Sequence, residues 1–471
     1  MECISVFDML KIGVGPSSSH TLGPWRAAEQ FLAELRNQNI INDVHRVKVD
    51  LYGSLSLTGK GHATDLAVML GLSGADPELV PIDDIASIIE DIKTSNELIL
   101  DNEFKIHFNV VSDIFFNKNF LPFHANGMVF TAFTNDAEYS SIFYSIGGGF
   151  VVKEEDADSK SEEKGAFPFP IDKGVELLAF CDSESKLVSE IVYENEKSLR
   201  SEEVIHNELM RIWHTMLECM YIGAHTDGIL PGGLNVKRRA YDMHTNLIGI
   251  ANYNSPQEWL TCIRQTEVKF RQILKWVSCF ALAVNEVNAS LGRVVTAPTN
   301  GSAGVIPAVL MYYLVIENHY AGEKEIKQFL MVAGQIGSIF KKGATISAAM
   351  GGCQAEIGVS SAMAAAALCE LMGGTPDQVL VAAEIAMEHH LGMTCDPIGG
   401  LVQVPCIERN TMGAIKAIHA AELALETDAK NVLVPLDKVV ATMWETAKDM
   451  NSKYKETSEG GLAIGVGLAD C

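Results

Sequence analysis

The chain has 471 residues, 48% of them hydrophobic and 20% charged, and a formal net charge of −24. That length allows two or three domains around a large core. The acidic balance excludes a nucleic-acid partner, whose phosphates need a basic footprint, and disfavours anionic membrane surfaces.

Residues 1–153 mix strand and helix signals. Helical spacing covers Leu22–Leu35 and Ala63–Leu70. Alternation of apolar and polar residues predicts strands over Val47–Tyr52, Phe104–Val110, Met128–Phe133 and Ser141–Tyr144. Residues 154–171 open with a polar, acidic run and read as a linker or loop. From 172 to 471 the pattern is helical throughout: Ile205, Leu209, Ile212, Trp213, Met216, Leu217 and Met220 recur at three and four. Residues 343–374 are rich in Gly, Ala and Ser, which permits close helix approach. The expected fold is α+β, a small N-terminal α/β domain followed by a large all-α domain. No apolar signal core lies in residues 1–30, and no uninterrupted apolar run reaches membrane-spanning length, so a cytoplasmic protein is expected.

Ten cysteines without that signal read as reduced thiols. Cys219, Cys262, Cys279 and Cys369 sit inside helical patterns and read as buried apolar thiols. Three others stand in glycine- or proline-marked stretches: Cys353 after Gly351-Gly352, Cys395 in Thr394-Cys395-Asp396-Pro397, and Cys406 after Pro405. Pro405 suits a helix start, where the dipole favours a thiolate. Three soft donors suit iron–sulfur chemistry better than a hard cation, and leave one position open. Cys471, the last residue, is a fourth candidate. No Cys-x-x-Cys pair, zincin helix, dinucleotide fingerprint or P-loop occurs.

Three hydroxyl- and glycine-rich loops precede helices. Gly15–Thr21 carries Ser17, Ser19 and His20, more than a helix cap needs. Thr58–Asp65 carries Lys60, His62 and Thr64, with Lys60 a candidate cation and His62 a candidate proton acceptor. Thr296–Gly304 carries Thr299, Asn300 and Gly301, suited to anion capture or amide donation. His389-His390 reads as one surface and one core histidine.

With those segments in view, the chain closely resembles, end to end, the iron–sulfur-dependent bacterial L-serine dehydratases of single-chain type. The carriers are Gly15–Thr21, Thr58–His62, Ala297–Gly304, Gly351–Glu356 and, most specific, Cys395–Cys406. The resemblance implies a [4Fe–4S] cluster held by Cys353, Cys395 and Cys406. It implies deamination of L-serine to pyruvate and ammonia, part of amino-acid degradation and gluconeogenesis. His62 is then the first candidate base and His20 the next. Lys60 would offset the substrate carboxylate, and Ser17, Ser19, Thr64, Thr299, Asn300 and Gly301 would line its site. A homodimer is expected. The glycine-rich tail ending at Cys471 has serine's skeleton with sulfur for oxygen, and is expected to reach the open iron and the substrate pocket. The competing readings are a lyase using pyridoxal phosphate and an iron–sulfur sensor with Cys471 as permanent ligand.

Overall fold

The structure, a computed structural model, describes residues 2–156 and 167–465. Its N-terminal part is built on a five-stranded sheet. The strands in chain order are β1 (Ile12–Val14), β2 (Arg46–Tyr52), β3 (Glu97–Leu100), β4 (Phe104–His107), β5 (Ile114–Asn117), β6 (Gly127–Phe133), β7 (Glu138–Ser145) and β8 (Val151–Lys153). The sheet order is β5-β2-β6-β7-β8, with β2 and β5 parallel and the other neighbours antiparallel. Val47, Val49 and Leu51 point inward from β2 and their neighbours outward, the burial expected of a sheet covered on one face. Helix α1 (Gly23–Asn37) lies on that face, where Phe31 meets the Phe130 ring at 5.4 Å. A separate hairpin joins β3 to β4.

The strand expected over Phe104–Val110 ends at His107. Asn109 stops it: its side chain accepts from the backbone N–H groups of Val111 and Ser112 and starts a short helical turn, Val110–Asp113.

The C-terminal part is a helical bundle around a second core. Its centre is α6 (Ile357–Leu371), in which Ala362 and Ala364–Ala367 are all fully buried. The small side chains let α6 pack tightly among α5 (Glu323–Gly343), α7 (Pro376–Glu388) and α8 (Cys406–Leu425). Helix α4 (Phe270–Asn288) packs against α8 and against α3 (Glu202–His225), whose Ser201 side chain caps its first turn. Thr375 and Gln378 form a reciprocal capping box at the start of α7, with Pro376 as its first residue. Cys219, Cys279 and Cys369 are buried in this core as expected, whereas Cys262 is only half-buried on its helix. His390 is buried and His389 exposed. Among the described residues one helical stretch, Asn300–Glu317, is long and apolar enough to cross a membrane, and 89% of it is buried inside the fold.

The bundle is not wholly helical. Strand β9 (Arg293–Val295) pairs antiparallel with β1, Ile12 opposite Val295. Lys11 N–H donates to Thr296 Oγ1 at 2.9 Å, and Thr296 N–H to the Lys11 carbonyl at 2.7 Å. Three residues are too few to show a period-two pattern, so the sequence gives no sign of this strand. Ile4, Val6, Met9, Leu10 and Ile12 are buried in the helical core, so the chain starts in one core before building the other.

Burial pushes His244 and His390 down from an ordinary 6.5 to about 4. The unfolded chain therefore binds protons that the folded one refuses as pH falls between those values. Stability should be fully present above about pH 6.5 and fall towards pH 4, read as a declining urea midpoint. A midpoint flat across that window would contradict the neutral burial of these rings.

Candidate active site

Four stretches distant in sequence meet where the two cores touch. In the first, Ser17 caps a helical turn, its Oγ accepting from His20 N–H at 3.1 Å. Ser17 Oγ lies 3.2 Å from Ser19 Oγ, and Ser19 Oγ 2.9 Å from His20 Nδ1. Thr21 Oγ1 donates to the His62 carbonyl at 2.7 Å, tying this loop to the second.

In the second, the loop leaving Thr58 folds His62 back so that its Nδ1 lies 3.0 Å from the Thr58 carbonyl. That contact fixes Nδ1 as the protonated nitrogen and leaves Nε2 as an acceptor, with no hydrogen bond among the described residues. The His20 and His62 rings are 4.6 Å apart. Burial, with His20 adding to it and Glu456 opposing, pushes His62 down to about 4, so its imidazole is neutral at neutral pH. Lys60, two residues away, is turned outward and exposed, its Nζ 5.7 Å from the Phe116 ring centre. Thr64 begins helix α2 (Thr64–Leu72), fully buried with Oγ1 unpartnered among the described residues.

In the third, Thr299 Oγ1 donates to Glu356 Oε1 at 2.7 Å. A Cβ on Gly301 would stand 2.8 Å from that same Oε1, so a larger residue there would displace the Glu356 carboxylate. Asn300 Nδ2 donates to the Val14 carbonyl at 3.1 Å, and its Oδ1 is buried without a partner.

The fourth carries the thiols. Cys353, Cys395 and Cys406 are 2%, 4% and 7% exposed. Cys353 and Cys395 hydrogen-bond through their thiols, and with a Glu356 carboxylate oxygen they form a group whose ligand atoms lie within 4.8 Å of one another. Cys406 is the first residue of α8, following Pro405 as expected. One turn on, Arg409 donates to the Thr394 carbonyl at 2.5 Å and to Asp396 Oδ1 at 3.3 Å. The Cys395 hydrogen bond and the Arg409 charge bring Cys353 down to about 7 against the pull of burial. Cys395 rises because it donates that bond, and Cys406 rises through burial. Buried soft donors of this kind, with a cation beside them, suit a thiophilic metal or cluster.

The C-terminal segment closes the site. Cys395 N–H donates to the Tyr454 carbonyl at 2.7 Å, and Thr457 N–H to the Cys395 carbonyl at 3.3 Å. Between them Glu456 is buried, with Oε1 3.1 Å from His20 Nδ1 and 3.2 Å from Ser19 Oγ. Burial would raise this carboxyl, but the two histidines and Ser19 hold it below its ordinary value. Beside it, a cavity of about 300 Å³ is lined by Ser54, Phe120, Ala349, Lys455 and Thr457 among others. Cys471 lies outside the described residues.

The structure thus gathers Ser17, Ser19, His20, His62, Thr299, Asn300, Gly301 and the three cysteines, and sends Lys60 outward. It adds Glu356, Arg409, Ser54, His124 and Glu456, which the sequence reading left unassigned. Glu356 and Arg409 carried a faint signal, each standing one helical turn after a candidate cysteine. Ser54 donates to the Glu456 carbonyl at 3.2 Å and lies 3.1 Å from His20 Nε2. His124 feels the Glu456 charge, though burial pushes it down to about 4.

Family comparison agrees with this architecture. A model described as serine dehydratase beta chain matches residues 5–156, and one described as serine dehydratase alpha chain matches 183–463. The chain is 46% identical over 470 residues to L-serine dehydratase 1 of Escherichia coli (strain K12), covering 98% of this chain and 99% of that protein. Identity is 46% over 465 residues to the L-serine dehydratase of Haemophilus influenzae, with 98% and 99% covered. It is also 46% over 472 residues to that of Streptomyces coelicolor, with 98% and 99% covered.

Without metal, one thiol should ionise near pH 7, seen as a rise in ultraviolet thiolate absorbance. Arg409→Met removes a cation that favours the thiolate and should move that rise to higher pH. An unmoved titration would show that Arg409 does not act on the thiols.

Proposed function

The chain belongs to the single-chain L-serine dehydratase family, and from that premise we propose that it deaminates L-serine to pyruvate and ammonia with a [4Fe–4S] cluster held by Cys353, Cys395 and Cys406. The observation that carries the chemistry is the meeting of buried thiols with a neutral histidine whose Nε2 is free. When bound, the cluster would supply a Lewis-acidic iron towards the substrate's hydroxyl and carboxylate.

The chain's own residues do the rest. His62 Nε2 takes the Cα proton, and the Thr58 carbonyl keeps the opposite nitrogen protonated and the ring oriented. His20 is the weaker candidate for base, because Nδ1 faces Glu456 and Ser19 while Nε2 faces Ser54. Ser17, Ser19, Thr299 and Asn300 supply the polar wall that orients the carboxylate. The unpartnered Oδ1 of Asn300 and Oγ1 of Thr64 are polar atoms in want of a partner. Burial of the loops keeps bulk water from the proton-transfer step. Loss of the Cα proton and the hydroxyl gives 2-aminoacrylate, which tautomerises and hydrolyses to pyruvate and ammonia. Lys60 stands too far out to hold the carboxylate directly, and its part is at most long-range attraction.

Anaerobic reconstitution with iron and sulfide, followed by pyruvate release from L-serine, tests the whole reading. Activity should decay in air and return with ferrous iron and reductant; full turnover after chelation and aeration would overturn it. Cys353→Ala, Cys395→Ala and Cys406→Ala should each lose iron and activity together, whereas Cys219→Ala and Cys279→Ala should keep both. His62→Ala should keep its iron and lose about 10²–10⁴-fold in kcat/KM. A near-normal rate would move the base to another group.

A further inference from the structure

We propose that Glu456 receives the α-ammonium group of the substrate through Oε2, an assignment that rests on the L-serine reading above and makes this residue the site's selector for amino acids over hydroxy acids. A zwitterionic substrate brings a positive charge among buried side chains. It needs an anionic acceptor there, since an unpaired buried charge is costly.

The carboxylates around the site narrow the choice. Asp396 is committed: Oδ1 accepts from Arg409 and Thr394, and Oδ2 from Leu462 N–H at 2.8 Å. Glu356 faces the thiols, with Oε1 accepting from Thr299 Oγ1 and Oε2 lying 3.9 Å from Cys353 Sγ. Among the described residues, Glu456 alone of the three has an oxygen with no hydrogen-bond partner. Its Oε1 faces His20 and Ser19, while Oε2 is buried with no partner among the described residues, in a residue only 4% exposed. A buried carboxylate oxygen without a donor is a costly thing to keep in a folded protein, and an incoming ammonium has three donors to offer.

The backbone points the same way. Glu456 has φ of 51°, in the left-handed region that non-glycine residues avoid. It is held there from both sides: Tyr454 and Thr457 are hydrogen-bonded to Cys395, and the Glu456 carbonyl accepts from Ser54 Oγ. Strain of this kind persists where the surroundings over-determine it, and it clusters at functional sites. The residue that carries this backbone is itself buried. The placement also suits the reaction. Glu456 touches His20, and the His20 ring lies 4.6 Å from that of His62, so the ammonium acceptor and the proposed base are separated by one imidazole. A cavity of about 300 Å³ is lined by Lys455 and Thr457, the residues on either side of Glu456, and by Ser54.

The test compares L-serine with L-glycerate, which has a hydroxyl in place of the ammonium. In the reconstituted enzyme, KM for serine and the inhibition constant for glycerate give a preference ratio. Glu456→Gln should raise KM for serine about 10- to 100-fold and leave glycerate inhibition nearly unchanged, so the ratio collapses. Glu456→Gly tolerates the left-handed backbone and guards against a folding failure of the first variant. Its ratio should collapse likewise, and added formate should restore it. If both variants keep iron and melting temperature but also keep the wild-type ratio, the assignment is overturned. A fall in kcat at an unchanged ratio also overturns it, and marks Glu456 as a residue that only orients His20. A loaded wild-type enzyme that releases no pyruvate overturns the dehydratase reading itself, an outcome distinct from either.

Discussion

Two loops approach each other so closely at the seam between the cores that a Cβ on Gly61 would stand 2.6 Å from the Gly400 carbonyl oxygen. The site depends on that contact. Gly61 belongs to the loop of the α/β part that carries His62; Gly400 belongs to the loop that carries Cys395 and leads to Cys406. Any larger residue would push the histidine away from the thiols. The same logic recurs at Gly301, where the absence of a side chain lets the Thr299 loop reach Glu356. Glycine here is selected by proximity, since neither residue has the positive φ that would otherwise demand it.

Burying so many ionisable groups together raises a second demand. Each would resist its charged form if alone. The arrangement meets this by pairing: Arg409 with Asp396 beside the thiols, and Glu456 with His20 beside His62. The pairs divide the site into a half that holds the thiols and a half that holds the histidines. Glu356 stands on the border, raised well above its ordinary value by burial and by the Cys353 thiolate. Replacing one member of such a pair leaves the other uncompensated, so single substitutions here act on more than the residue replaced.

The two cores supply rigidity where the seam supplies chemistry. Helix α6 is buried along nearly its whole length, and the sheet packs Phe31, Phe130 and Phe143 behind the histidine loops. The β1–β9 pair stitches the chain's start to the helical part, and the Cys395–Lys455 bridge stitches its end to the cysteine loop. Loops held at both ends by packed elements can keep unpartnered polar atoms, such as Asn300 Oδ1 and Glu456 Oε2, without collapsing to satisfy them.

How much of this was legible beforehand follows from range. Alternation in Val47–Tyr52, three-four spacing in Ile205–Met220, Pro405 as a helix start and the split between His389 and His390 are all local facts, and each was readable from a few neighbouring residues. The three cysteines and His62 were readable because their glycine and proline surroundings are not those of core residues. Glu456 was not. Nothing within Lys455-Glu456-Thr457 hints at a buried carboxylate, because its partners His20 and Ser19 lie more than 400 residues earlier in the chain. Lys60, a candidate cation, and His62, a candidate proton acceptor, stand two residues apart in one loop; only the turn of the folded backbone sent one to solvent and the other to the core. The sequence determined which local structures form and which residues carry reactive chemistry, because propensity and side-chain type are local properties. The tertiary structure decided which of them face one another, because burial and pairing across the seam exist only once both cores have closed.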